Sequence, residues 1–294
     1  MKNLIGAIAL LLASTACTCN KTGLDAWEAG SANDDVFLHI TDSDLAAMKA
    51  NGLNYLEVDW LFPSEATPAE IEEWAEAIKE RCDRAGITVW TVHIPYGGAY
   101  DISQVNDSAR REAVRLSAQD METSVRLLAP KRFVIHPSAE PIADEEREAR
   151  IAASRESLSE LAAKAAGYGI PLLVENLPRT CLGRNSGELL RIIDGIDNTG
   201  ICFDVNHLLG ESHASFVANT RGRIGTTHMS DYDGTDEKHW LPGEGVIDWT
   251  ALLNGLHETG YRGPFMYEVV KRDRPLDIAA LGNRWKKLKE ACKK

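Results

Sequence analysis

Four side chains of the kind that hold divalent metal ions, Glu175, Asp204, His228 and Glu268, each end a short apolar run. The runs are IPLLVE (170–175), TGICFD (199–204), IGTTH (224–228) and PFMYE (264–268), and helical stretches separate them. One imidazole and three carboxylates form a borderline-hard donor set. It suits Mn²⁺, Zn²⁺, Co²⁺ or Mg²⁺ better than a thiolate-seeking ion. Such an ion acts as a Lewis acid towards bound oxygens, and a neighbouring carboxylate can serve as acid or base. A single Glu or His at a strand end is usually a satisfied polar group or a loop residue. Four of them ending consecutive runs demand a common cause.

A barrel of parallel strands supplies that cause, because every strand C-terminus then lies on one face. Eight strand-then-helix units can be traced. Their strands are VFLHI (36–40), YLEVDW (55–60), ITVWTVH (87–93), RFVIH (132–136) and the four above. Most are continuous apolar runs, as expected of parallel strands covered on both sides. Between them, Ile71, Trp74, Ala75 and Ile78 fall at helical spacing, with Glu72, Glu73 and Glu76 on the opposite face. Residues 144–167 open on Asp144-Glu145-Glu146 and end at Gly167, matching helix-dipole and C-cap preferences. A chain of 294 residues could hold two ordinary domains or one α/β barrel of about 250 residues. No Pro/Gly/Ser-rich linker divides it. The expected fold is a single (β/α)8 TIM barrel over 35–294, after a signal peptide (1–16) and a tether (17–34).

The first segment reads as an export signal. Lys2 precedes LIGAIALLLA (4–13), an apolar stretch too short to span a bilayer. Ser14-Thr15-Ala16-Cys17 resembles a bacterial lipobox, although Ser14 stands where Leu is usual. The expectation is an exported lipoprotein of the bacterial cell envelope, held to the membrane only by a lipid on Cys17. Cleavage near Ala16 without lipid and an uncleaved anchor are the alternatives. Losing Lys2 with residues 1–16 leaves 31 basic residues against 44 acidic ones, a net charge of −13. Such a surface repels polyanions and lacks the basic footprint of a nucleic-acid binder. A small molecule is the expected partner. Cys19, Cys82, Cys181, Cys202 and Cys292 show no CxxC spacing, hence no metal or disulfide framework. One bridge involving Cys82 or Cys181 stays open, and Cys202 reads as a small buried hydrophobe.

VHIPY (92–96), VIHP (134–137), VENLP (174–178), FDVNH (203–207), THMSD (227–231), HWLPGEGVIDW (239–249) and YEV (267–269) together resemble the xylose isomerase-like barrels. That group comprises sugar-phosphate isomerases and epimerases, inosose dehydratases and endonuclease-IV-type AP endonucleases. The resemblance spans roughly 36–290 in family order. It implies that Glu175, Asp204, His228 and Glu268 bind a central metal, with Glu175 and Glu268 as the acid/base pair on opposite faces of a carbohydrate or polyol. His207, three residues after Asp204, would touch substrate or a second metal. The chain departs from the pattern of the ketohexose epimerases, where an Arg precedes the Pro-Gly of the strand-seven loop; here His239 takes that place. The nucleases add histidines from strands three and four, plus an Asp-x-His, to hold three zinc ions. This chain has His93, His136, His207 and Glu237-x-His239, with Glu replacing Asp. Two or three metals together would suit phosphodiester cleavage.

Further candidates for lining the pocket are Trp60, Tyr96 and Trp240, whose rings could stack on a sugar, and Glu57 and His39. Packing or buried hydrogen bonding is the alternative for each. The expected function is a divalent-metal-dependent isomerase or epimerase of a sugar or polyol, acting by proton transfer beside a carbonyl. The alternatives are a lyase or dehydratase of a keto-inositol or 3-keto-glycoside, a multi-metal phosphoesterase of the AP endonuclease type, and a non-catalytic carbohydrate-binding lipoprotein. The last has no need of two acid/base carboxylates. A homo-oligomer is open by family analogy.

Overall fold

Short apolar strands that are buried on both faces need partners on both edges, and a closed ring of parallel strands provides them. The computed structural model describes residues 23–32, 40–63, 65–270 and 277–292. Its strands are β1 (Ala29–Ala32), β2 (Leu53–Asp59), β3 (Thr88–His93), β4 (Arg132–Ile135), β5 (Leu172–Glu175), β6 (Thr199–Asp204), β7 (Ile224–His228) and β8 (Phe265–Glu268). Each pairs in parallel with its sequence neighbour from β1 to β7, and β1 also pairs with β8. The ring closes between β7 and β8. Met229 N donates to Met266 O at 2.8 Å, and Glu268 N donates to Met229 O at 3.2 Å. The fold is the expected TIM barrel.

Eight helices cover the outside: α1 (Asp42–Ala50), α2 (Pro68–Ala85), α3 (Asp107–Leu128), α4 (Arg147–Gly167), α5 (Ser186–Ile193), α6 (His213–Asn219), α7 (Trp249–Glu258) and α8 (Ile278–Ala291). Thr41 with Asp44 and Thr67 with Glu70 form reciprocal capping boxes at the starts of α1 and α2, a device worth about 0.5–2 kcal/mol per cap. Ala75 and Ile78 of α2 are fully buried, with Ile71 and Trp74 packed at the edge of the same core. The left-handed residue after α4 is Gly169 (φ 71°), two places beyond the expected Gly167. Among the described residues no helix is long and apolar enough to cross a membrane. Cys82, Cys181, Cys202 and Cys292 are all free thiols, so no bridge joins them. The expected signal peptide, Cys17 and His39 lie outside the described residues.

The expected first strand, VFLHI, lies outside the described residues except for Ile40, and the first strand among the described residues is another segment. It is AGSA (Ala29–Ala32), inside the segment read as a tether. The physical reason is space. A Cβ on Gly30 would stand 2.5 Å from Tyr55 O and 2.6 Å from Met266 Sδ, so only small residues fit between β2 and β8. A strand built from small residues has no hydropathy signal. Ile40, at the end of the apolar run, is buried without strand pairing.

Gly30→Val tests that assignment. Overpacking at a filled position costs about 1–3 kcal/mol or more, so the urea midpoint should fall clearly. An unchanged midpoint would mean that residues 29–32 are a tether after all.

Candidate metal centre

Strand parity decides which side chains reach the barrel's centre. Val134, Leu173 and Cys202 pack as a cluster of their own, apart from the main core, inside the ring of strands. Residues two places further along a strand point the same way, which aims His136, Glu175 and Asp204 inward at the C-terminal end. One-residue bulges opposite β2 and β6, at Trp90 and Gly225, re-phase β3 and β7, and His93 and His228 join the centre.

Glu175, 1% exposed, is the hub. Its Oε1 lies 3.2 Å from His228 Nδ1 and 3.5 Å from His207 Nδ1. Its Oε2 lies 3.0 Å from His93 Nε2 and 3.2 Å from His136 Nε2. Donor atoms within 4.8 Å of one another form three groups around this hub: Glu175, Asp204, His228 and Glu268; His93, His136 and Glu175; and His207, Glu237 and His239. Cys202 also comes within reach of Glu175 and His228, but burial holds its thiol well above the ordinary value, so it stays a protonated, apolar neighbour.

Backbone and side-chain acceptors behind the imidazoles fix their orientation. His93 Nδ1 donates to Ile94 O at 2.9 Å, and His207 Nδ1 donates to Asn176 O at 2.9 Å. Each Nε2 is thereby presented to a carboxylate: His93 to Glu175 Oε2, and His207 to Glu237 Oε1 at 3.0 Å. His228 is turned the other way. Glu57, buried and held by Thr91 Oγ1 at 2.5 Å, takes its Nε2 at 3.0 Å and leaves Nδ1 for the centre. A carboxylate behind a metal-binding imidazole fixes its tautomer and raises its basicity.

Two atoms test whether a cation fits. Asp204 Oδ2 and Glu268 Oε2 are buried with no hydrogen-bond partner, an expensive arrangement for carboxylate oxygens. His239 Nδ1 stands 3.3 Å from that Glu268 oxygen without hydrogen-bonding geometry. Both orphaned oxygens belong to the four-residue group, so the donors fit a divalent ion. Without an ion, protons do the neutralising. Burial opposes charge on His93 and His207, yet the carboxylates around them, Glu175 for His93 and Asp204 with Glu237 for His207, lift both to about 9. Burial likewise opposes charge on Glu175, but His228 and the other imidazoles hold it well below the usual carboxyl range. Burial pushes Glu268 well above it.

The loops above β5, β6 and β7 are tied together by amides that residue-type reasoning passed over. Asn176 Nδ2 donates to Asp204 O and Asp204 N donates to Asn176 Oδ1, both at 2.8 Å. Asn206 Nδ2 donates to Ser230 Oγ and Asp231 O, and Asn206 Oδ1 accepts from Lys238 N. Asp231, fully buried, accepts from Tyr232 N, Gly243 N, Ile247 N and Trp249 Nε1, which folds the segment carrying Glu237 and His239. A Cβ on Gly245 would fall 2.1 Å from Tyr232 O and 2.4 Å from Asp231 Oδ1, so glycine is required there. The pairs Glu-Asn, Asp-x-Asn and Ser-Asp stood within the recognised motifs; what their side chains bond to is a tertiary fact.

A pocket of about 340 Å³ opens over the groups, with His93, His136, Glu175, His207, Glu237, His239 and Glu268 in its wall. Tyr96, 43% exposed, borders it and stacks on His136 at 4.3 Å. Three weaker candidates sit elsewhere. Glu57 is sealed behind His228, and Trp60 is buried with its Nε1 donating to Asp120. Trp240 is half exposed and outside the pocket wall. A residue not anticipated, Arg179, stands at the mouth, donating to Glu140, Asp236 and Glu237. Arg179 and His239 both adopt φ 49°, a left-handed conformation that costs a non-glycine residue energy and gathers at functional sites.

Fold and donor groups together define an α/β barrel with candidate metal-ligating groups at one end, and comparison with known proteins gives its family. The family model for the xylose isomerase-like TIM barrel matches residues 45–291, and the chain belongs to that family. An uncharacterized protein of Methanocaldococcus jannaschii is 32% identical over 200 residues, 65% of this chain and 67% of that protein. The probable endonuclease 4 of Bifidobacterium longum is 30% identical over 141 residues, 46% of this chain and 48% of that protein. A solved D-tagatose 3-epimerase-like protein superposes with a TM-score of 0.76 at 24% identity, covering 90% of this chain and 98% of that one.

Two outcomes follow from the geometry. Glu57→Gln removes the carboxylate behind His228, and loss of such a partner costs about 10–100-fold in metal affinity; chelator competition should show it although Glu57 touches no pocket. An ion in the four-donor group would repel the protons held on neighbouring His93 and His207, whose values near 9 keep them charged at neutral pH. Loading should therefore release protons and strengthen as pH rises towards about 9; titration calorimetry in buffers of different ionisation enthalpy measures it. Proton-independent loading would contradict the roles of these two imidazoles.

Proposed function

We propose that the protein is a divalent-metal-dependent isomerase or epimerase that moves a proton beside a carbonyl of a small sugar or polyol. The observation that carries this reading is that Glu175 and Glu268 both line the pocket and both belong to the four-donor group with Asp204 and His228. Those four residues would hold the ion, which when bound polarises substrate oxygens and stabilises developing negative charge. Glu268, in the wall of the pocket, would take a proton from carbon or return one. Glu175 would serve the opposite face. Tyr96, backed by His136, offers a flat wall to a sugar ring. A pocket of about 340 Å³ is at the small end of ligand sites, suited to a monosaccharide. The carboxylates of Asp59, Glu140 and Glu237 in its wall disfavour a polyanion. The epimerase-like name of a structural neighbour agrees with sugar chemistry.

One observation favours a second reading, phosphoester hydrolysis at two or three metals. Glu175 Oε2 faces both His93 and His136, so these three residues could hold a further ion and leave Glu175 less free to act as a base. The third group, His207, Glu237 and His239, adds to it, and one relative is a probable endonuclease 4.

Metal per chain, measured on protein purified without chelators, combined with deuterium exchange into ketoses and keto-inositols, separates the readings. We expect about one essential ion and exchange with conserved substrate mass. Loss of water from the product would instead identify a dehydratase. Glu268→Gln should lower turnover by about 10²–10⁴-fold, the usual contribution of a positioned acid or base, while leaving sugar binding measurable. Two or three ions, hydrolysis of a phosphodiester and no exchange would replace the isomerase reading with the second.

A further inference from the structure

The opposite end of the barrel carries a cavity of about 210 Å³ whose wall includes Trp90, Arg132, Tyr261 and Arg262 and no acidic residue. That composition is unusual in a chain with 44 acidic and 32 basic residues. Arg132 opens β4 two places before inward-facing Val134, so its side chain points into the floor of the barrel. The bulge at Trp90 turns the indole towards the same floor, where its Nε1 donates to Thr226 Oγ1 across the ring at 3.1 Å. The guanidinium of Arg132 lies 3.8 Å over the Trp90 ring.

Arg132 has no hydrogen bond or ion pair among the described residues, and burial lowers its pKa. Stacking uses only the face of a guanidinium and leaves its in-plane N–H donors unengaged. Tyr261 provides no counter-charge: burial raises its phenol, which donates to Pro264 O at 2.7 Å. Arg262 brings a second guanidinium to the rim, with Nη1 donating to His257 O and Tyr261 O. Gly222 and Gly260 keep the rim open, since nothing lies within 4 Å of where their Cβ atoms would be. A partly desolvated cation with free donors and no acid beside it is poorly placed unless an anion completes it.

We propose that this cavity binds a phosphate group, with Arg132 as its bidentate partner and Arg262 at the rim. The site is separate from the metal centre, which occupies the other end of the barrel. Two sources share that chemistry: a small soluble phosphate, and the headgroup of an anionic phospholipid. The second has a topological basis, because the chain enters β1 from this face, with Trp27 packed edge-on against Tyr261 at 5.6 Å.

The test is calorimetric titration of inorganic phosphate into the metal-loaded full chain at fixed ionic strength. Wild type is compared with Arg132→Leu, Arg132→Lys, the exposed rim variant Arg262→Ala, and Arg111→Ala on the outer surface of α3. Losing a charge-assisted bidentate contact should weaken phosphate binding by about tenfold or more in Arg132→Leu. Arg132→Lys should fall between, Arg262→Ala should weaken it less, and Arg111→Ala should match wild type. Circular dichroism and Arg262→Ala keep the result readable if Arg132→Leu folds poorly. Sedimentation with phosphatidylglycerol and with phosphatidylcholine vesicles separates the sources. Arg132-dependent binding to the anionic vesicles assigns the headgroup; Arg132-dependent binding of free phosphate without vesicle binding assigns a soluble ligand. Phosphate binding that is the same in wild type, Arg132→Leu and Arg132→Lys, or no binding to either probe, overturns the proposal.

Discussion

A carboxylate removed from water at the centre of four imidazoles is the constraint on which the rest of this barrel's upper end depends. Burying one ion costs several kcal/mol even after relaxation unless partners surround it. Glu175 obtains those partners from four different strands or their loops, His93, His136, His207 and His228. β3, β4, β6 and β7 must therefore end level with β5, and their side chains must arrive in one phase. The bulges at Trp90 and Gly225 make sense in this light. They correct the phase of two strands whose plain alternation would send a histidine towards the helices.

The imidazoles are in turn oriented from behind. Ile94 O, Asn176 O and Glu57 each accept from one ring nitrogen and so decide which nitrogen looks inward. Asn176 and Asn206 carry that order sideways from β5 to β6 to β7, and Asp231 continues it into the loop holding Glu237 and His239. Each of these groups is buried with its hydrogen-bonding capacity largely met. A half-satisfied network would destabilise the fold. Around this centre the unsatisfied oxygens, on Asp204 and Glu268, are the exceptions, and they lie where a cation would fit.

How much of this could be read in the chain depended on the kind of signal. β5 to β8 were legible because an apolar run closed by a lone Glu, Asp or His is both a buried strand and a ligand at its end. β1 was not, because AGSA owes its place to the space left by Tyr55 and Met266, and small residues carry no hydropathy pattern. Glu57 and Trp60 were placed near the pocket since a strand-end residue can face either side, and only the packing of His228 and Asp120 shows which. Arg179 had no pattern to betray it. Its role arises where the loops after β4, β5 and β7 meet, through Glu140, Asp236 and Glu237.

The two ends of the barrel solve opposite charge problems. At the upper end Glu57, Glu175, Asp204, Glu237 and Glu268 crowd together, and the raised pKa values of His93, His207 and His228 show that protons supply the compensating charge when metal is absent. The lower end has the reverse difficulty. Arg132 stays cationic even when partly buried, so it cannot escape its charge by losing a proton as a histidine can. Stacking on Trp90 offsets only part of the desolvation. The in-plane donors of Arg132 are left to solvent or to an anion from outside the described chain, which is why a guanidinium there argues more strongly for a ligand than a histidine, which could shed its proton, would.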